Sequence, residues 1–357
     1  MHITFLIGNG FDINLGLKSR YIDFLNEYCI VKETDSDIIM KFKKEIEEFI
    51  RKNCQEFCPE KEDINWSDAE SAFGQYTKNF NGEDGKTFYE FIECYNNFYD
   101  ALGDYLEELV AKMEFSNPQL DKKFAGCLEK ITNGLTFKDV VELEKYIKTG
   151  ADGYIYNFIS FNYTYLIDSL VELLREKKLL SQRYYKGQYF QSLMGKVLHN
   201  HGCTDNNMIF GVNDETQIAN INIFLEQDDV YLKNFIKSQA LELAGELRDE
   251  EVSNILNKSH LIYIYGMSLG ETDKRVWANI CALMKSNLNL RIIIYAHEVP
   301  RETRSIIPFR LFEKSLKEKF LCYCDYDVDI KKSISNRIFV TRENIFEDIS
   351  NSLVLKQ

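Results

Sequence analysis

The sequence predicts an α/β protein: a Rossmann-like, mostly parallel sheet with helices on both faces and a large helical insertion. Three observations point there. Short apolar runs of strand length recur at 3–7, 154–161 and 261–265. Each gives way to a turn of small or polar residues, and helical periodicity follows. Between the first two runs, residues 36–149 read as almost wholly helical. The expected organisation is an α/β domain of residues 1–35 and 150–357, with 36–149 as a helical subdomain over the ligand edge of the sheet.

The first strand carries Ile3, Phe5, Leu6 and Ile7 and ends on Gly8-Asn9-Gly10-Phe11-Asp12. Glycines let backbone come close to a ligand, and a helix N-terminus offers free N–H groups to an anion. The full G-x-G-x-x-G fingerprint is absent, because Ile13 takes its third position and Gly16 comes too late. An ordinary tight turn is the competing reading. From Ser19 an amphipathic helix is expected, with Ser19 as N-cap and Ile22, Leu25 and Cys29 on one face. Residues 36–57 give another, with Ile39, Phe42, Ile46, Phe49 and Ile50 as its apolar stripe. In Asn65-Trp66-Ser67-Asp68-Ala69-Glu70, either Ser67 or Asp68 can cap a helix, while Trp66 packs as a staple. The sharper reading turns Asp68 and Glu70 into a pocket. A long aromatic helix is expected over 86–113, and one or two more over 118–149.

The α/β pattern returns at 154–161, a buried strand ending on Asn162-Tyr163-Thr164 before a helix. Residues 196–198 form a short strand ending in His199-Asn200-His201-Gly202. Residues 208–212 read as another, ending in Asn213-Asp214. A charged helical stretch covers about 222–257. The strand 261–265 ends in Gly266-Met267-Ser268-Leu269-Gly270, with a helix from Thr272. Residues 291–296, 320–323 and 338–340 read as later strands.

Bulk properties narrow the function classes. The chain has 357 residues, a net charge of −13 and ordinary shares of hydrophobic and charged residues. That acidity opposes broad nucleic-acid binding, which relies on Lys and Arg at phosphates. Nine Cys at irregular spacing argue against a disulfide framework and for a reducing cytoplasm. No signal peptide or membrane-spanning run is apparent, so a cytoplasmic protein without membrane association is expected.

Four strand ends carry small or functional residues, and in an open parallel sheet ligands bind outside the carboxyl ends of the strands. The four would converge on one site. His201 is the candidate acid/base, since a neutral imidazole accepts a proton near pH 7. His199 shares its alternation, but a third metal ligand is not apparent, so no metal is expected. Asn162 can orient a ribose hydroxyl or a water, or simply make a turn. Ser268 can bond a phosphate or hydroxyl. Gly266-Met267-Ser268-Leu269-Gly270 also matches G-x-S-x-G, the nucleophile elbow of serine hydrolases, with His297 downstream. That fold, however, gives no role to the turn at 8–12 or to 199–202.

At these residues the chain resembles the AbiH family of bacterial abortive-infection proteins. The matching pieces are LIGNGFDINLGL (6–17), NWSDAE (65–70), SFNYT (160–164), HNHG (199–202), IFGVND (209–214) and YGMSLGETDKRVW (265–277). The resemblance implies defence against phage through arrest or death of the infected cell. More distantly, the set is similar to the sirtuin-like NAD-binding fold of several defence NADases. That similarity implies that Gly8 and Gly10, with Asn9 and Phe11 in their turn, hold the dinucleotide. It implies a ribose role for Asn162, a catalytic base in His201, and an adenosine site at Gly266, Ser268 and Leu269. Thr164 and Asp273 complete the implied nucleotide-binding set. The chain departs from sirtuins in having Asp12 where they carry Ser, and Thr164 where they carry Asp. The zinc-binding Cys pairs are missing, which argues against a deacylase.

The leading expectation is therefore NAD, as substrate or ligand, cleaved at its nicotinamide–ribose bond. Asp12 would stabilise positive charge on the ribose, as carboxylates do in glycoside cleavage. Asn162 would fix the ribose and water, and His201 would accept a proton. The alternatives are a metal-dependent nuclease or phosphodiesterase using Asp12, Asp68, Glu70 and Asp273, or a non-catalytic nucleotide sensor. A nucleotide ligand, a phage-derived trigger and a homo-oligomer are the expected partners.

Overall fold

The first apolar run becomes the centre of the main sheet. A computed structural model describes residues 1–57, 66–81, 87–115, 117–149, 153–177, 182–185, 188–204, 207–270, 273–297 and 305–355. In it β1 (His2–Ile7) pairs with β2 (Ile155–Ser160), which pairs with β3 (Leu193–His199). On its other side β1 pairs with β4 (Leu261–Tyr265), followed by β5 (Arg291–Tyr295) and β6 (Ile338–Thr341). All six strands are parallel, in the order β3-β2-β1-β4-β5-β6. This is a Rossmann-like winding, and its direction reverses between β1 and β4.

The strand sequences explain the burial. Parallel strands covered on both faces need apolar side chains at successive positions rather than at alternate ones. Leu6, Ile159, Ile262, Ile264, Ile292 and Ile294 pack in an aliphatic core with Trp277, Ile280 and Met284. The latter three lie on α3 (Lys274–Ser286), numbered here after the short helix α1 (Gly10–Asn14) and α2 (Leu166–Lys177). Phe5, Phe158 and Tyr263, from the alternate positions, pack ring against ring on the other face, Phe5 lying 5.1 Å from Phe158 and 5.4 Å from Tyr263. A disulfide, Cys281–Cys324, lies within the aliphatic core. Among the described residues it is the one bridge, joining the helix Lys274–Ser286 to the loop after the helix Ile307–Leu321.

The chain divides into two compact units. The sheet unit comprises Met1–Gly16, Met113–Asn200 and Arg248–Gln357. The second comprises Leu17–Lys112 and His201–Leu247. Its helices include Tyr21–Tyr28, Asp37–Phe57, Trp66–Tyr76 and Phe88–Ala111. They meet through an aromatic core of Phe24, Phe42, Phe73, Phe98, Phe210 and Phe235. Among the described residues no helix is long and apolar enough to cross a membrane.

Three local expectations are corrected. Residues 208–212 form no strand beyond an isolated bridge between Val212 and Ile236. Hydroxyls take two of their carbonyls instead: Tyr95 donates to Phe210 at 2.7 Å, and Tyr99 donates to Met208. Residues 320–323 are the end of the helix Ile307–Leu321 and the turn after it, because Phe320 completes that helix's buried face against Trp277. The helix expected from Ser19 starts at Tyr21, with Arg20 at the cap position and no side-chain capping bond from it to the helix.

Two turns meet at the reversal point. Gly8 N donates to Tyr265 O and Gly10 N to Gly266 O, each at 2.9 Å. A Cβ on Gly8 would fall 2.6 Å from Gly266 O, and one on Gly10 would fall 2.6 Å from Gly266 Cα. Gly266 has φ +68°, and a Cβ there would fall 2.6 Å from Phe11 N. These glycines let backbone pack on backbone, which locks the turn after β1 to the turn after β4. Gly266→Ala should therefore cost about 2–4 kcal/mol, from a left-handed φ plus overpacking. Gly16→Ala, at φ +92° but with open space around it, should cost about 1 kcal/mol. Chemical denaturation of the two variants measures the difference.

Candidate functional site

The turn after β1 buries a carboxylate. Phe11 N donates to Gly8 O at 2.9 Å, and the chain enters α1, a helix of little more than one turn. Phe11 points into the core, 5.2 Å from the Phe346 ring. Asp12, the next residue, is 1 % exposed. Its Oδ1 accepts from Asn162 Nδ2 at 2.8 Å and its Oδ2 from the Thr164 hydroxyl at 2.6 Å. Burial pushes the Asp12 carboxyl up to about 7; the Thr164 and Asn162 hydrogen bonds and the charge of His199 act the other way.

Asn162 is held from several directions. It begins the turn after β2, and its N–H donates to Ser160 Oγ at 3.2 Å. Its side-chain amide donates to Asp12, and its backbone carbonyl accepts from His199 Nδ1 at 3.1 Å. Its Oδ1 is buried and, among the described residues, has no hydrogen-bond partner. His199 comes from the end of β3, where it pairs in register with Ser160. Its Nε2 lies 2.6 Å from Asp168 Oδ2, in the first turn of α2. Burial lowers the proton affinity of His199, but the hydrogen bond and charge of Asp168, the Asn162 carbonyl and the charge of Asp12 outweigh it and raise the pKa. The neighbouring Asn200 carries a second buried side-chain oxygen without a partner among the described residues.

The structure thus brings Asp12, Asn162 and Thr164 into direct contact and adds His199 and Asp168. In the sequence His199 stands out only as a companion of His201. Asp168 is not singled out by the sequence pattern, although an Asp in the first helical turn after Asn162-Tyr163-Thr164 is the available signal. His201 belongs to the second unit, where its carbonyl accepts from Ile209 N at 2.8 Å.

The remaining sequence candidates occupy varied surroundings. Asn9 is half-buried and makes no side-chain cap to α1. Ser268 is exposed, and its carbonyl accepts from Lys319. Leu269 sits at φ +51° with its side chain in the aliphatic core. Asp273 lies at the head of α3, its N–H donating to Gly270 O at 3.3 Å. In the G-x-S-x-G reading, the left-handed residues are Gly266 and Leu269 rather than Ser268. A nucleophile elbow strains the Ser turn itself. His297 is exposed, with Nδ1 3.4 Å from the Tyr295 hydroxyl. In the second unit Glu70 is 2 % exposed and pairs with Lys237 at 2.7 Å. Asp68 lies in the helix Trp66–Tyr76, and its side chain falls outside the described residues, as do Asn65 and Thr272. Among the described residues, no three His, Cys, Asp or Glu side chains group as a metal site.

A buried carboxylate that titrates near neutrality can take a proton at pH 7. In a low-dielectric site its charge also stabilises positive charge developing nearby. The free Asn162 Oδ1 offers an acceptor to a hydroxyl or a water.

A family model described as bacteriophage abortive infection AbiH matches residues 4–295 of the chain. No curated protein matches the chain.

Two measurements follow from the buried charges. The folded-state pKa of Asp12 lies above its ordinary value of 3.8, so the native protein binds the extra proton between about pH 4 and 7. Stability should fall as pH rises through that window, by up to about 4 kcal/mol. Asp12→Asn should flatten this dependence in thermal unfolding followed from pH 4.5 to 7.5. Lys237→Met should cost about 3–5 kcal/mol by leaving Glu70 buried without its cation, and Glu70→Leu on top should restore most of it.

Proposed function

The chain belongs to the AbiH family of bacteriophage abortive-infection proteins, and we propose that it serves that role by hydrolysing NAD at the nicotinamide–ribose bond. One observation carries the reading: a carboxylate buried at the carboxyl ends of the parallel strands, both oxygens held by neutral donors. Cleaving the bond between ribose and a cationic nicotinamide develops positive charge on the ribose ring. The Asp12 carboxylate stabilises that charge, as carboxylates do in glycoside hydrolysis. The Rossmann-like strand order supports a dinucleotide, because its reversal point is where such sheets bind one.

The bonds balance as a hydrolysis. Water attacks the ribose anomeric carbon, and the carbon–nitrogen bond breaks with its electrons going to nicotinamide. Nicotinamide leaves neutral, ADP-ribose takes the water oxygen, and the proton passes to Asp12. Asn162 Oδ1 accepts a hydrogen bond from the attacking water or a ribose hydroxyl. Thr164 keeps the carboxylate in place. These residues all belong to the sheet unit, so the reading stands without His201.

The test incubates the purified protein with NAD, with and without a lysate of phage-infected cells, and follows nicotinamide and ADP-ribose. Wild type should release both, and Asp12→Asn should lower the rate by at least about 10²-fold. The wild-type rate should fall as pH drops through about 7, because the ionised carboxylate is the active form. Absence of nicotinamide under every condition would sink the reading.

A further inference from the structure

We propose that His199 is a fixed imidazolium cation, locked by Asp168, that positions Asn162 through its backbone carbonyl. The partners of the ring carry the inference. Nδ1 lies 3.1 Å from Asn162 O, and a carbonyl oxygen only accepts. Nε2 lies 2.6 Å from Asp168 Oδ2, a carboxylate oxygen. A neutral imidazole has one N–H and satisfies one of these acceptors. The doubly protonated ring satisfies both, and its charge meets that of Asp168.

The fold holds the ring rigidly. The His199 side chain is 10 % exposed, and that of Asp168 is 37 % exposed. The three participants come from different elements: Asn162 from the turn after β2, Asp168 from α2, and His199 from the end of β3. Asn162 is thereby fixed at its N–H by Ser160, at its carbonyl by His199 and at its Nδ2 by Asp12. What remains is Oδ1, buried and without a partner among the described residues, its direction set by the groups that hold the rest of Asn162. The charged groups that bear on His199 are Asp168 and Asp12. Its positive charge favours the ionised form of Asp12 in return.

The catalytic part of this role rests on the proposed hydrolysis, whereas the charge state does not. His199 is therefore a positioning residue, acting through Asn162 and Asp12. Nitrogen-15 NMR of the histidine rings tests the charge directly at pH 7.5, with His199→Gln assigning the signal. Both ring nitrogens of His199 should be protonated in the wild type. In Asp168→Asn the ring should become neutral, with the proton on Nδ1. A neutral His199 ring in the wild type would overturn the proposal, whatever the catalytic result.

The positioning role is read from the pH profile of nicotinamide release. Asp168→Asn should move its acid limb up by about one pH unit and lower kcat more than it raises KM. Asp168→Glu should restore much of the wild-type profile, and thermal unfolding confirms that each variant folds. An unmoved acid limb with unchanged kcat would overturn the positioning role. A wild-type imidazolium in a protein that releases no nicotinamide would uphold the charge assignment and overturn the hydrolysis instead.

Discussion

The site depends on one constraint: a carboxylate has been taken out of water at Asp12. Its burial is nearly complete, and its two hydrogen-bond donors are neutral. A buried charge without compensation is costly, so the group either neutralises or gathers partners. Asp12 does some of each. Its proton affinity rises toward neutrality, while Asn162, Thr164 and the nearby cation His199 limit the rise. Asn162 and Thr164 come from the turn after β2, and His199 from the end of β3. The carboxylate thus ties three strand ends together.

That arrangement needs a rigid frame, and the reversal point of the sheet supplies one. Gly8, Gly10 and Gly266 bring two backbone turns closer than any side chain would allow. Their role in the structure is turn-to-turn packing. Phe11 and Leu269, neighbours of these glycines, send their side chains into the core and anchor the same two turns. The site is placed by packing of apolar side chains on both faces of the strands and held by hydrogen bonds at their ends.

The second unit treats buried charge differently. Glu70 meets a full cation in Lys237, and Asp35 meets Lys43, at 2.7 and 2.8 Å. Each charge is answered by an opposite one, which makes the pairs costly to break and removes any reason for reactivity. Asp12 has hydrogen bonds but no ion pair of that kind. Opposite partners explain why two buried acids of similar exposure carry different chemical promise.

Much of the fold was legible from local pattern. Ile3 to Ile7, 154–161 and 261–265 read as buried strands because continuous apolar runs of that length suit a sheet covered on both faces. The glycine turns and polar strand ends were legible for the same reason, since φ and residue type are local properties. Segments with strand-like composition misled where packing overrode it. Tyrosine hydroxyls bond the carbonyls of Met208 and Phe210, and Phe320 belongs to a helix face.

The sequence by itself determined the α/β class and the residues at the strand ends, Asp12 among them. Only the tertiary structure decided which of them meet. Asp168 and His199 lie 31 positions apart, and Asp12 and Asn162 lie 150 apart. Strand order and register set those contacts, and they arise from sheet pairing over long separations that no local pattern encodes. The protonation of the site follows from the same cause, because burial and neighbouring charge exist only once the strands are side by side.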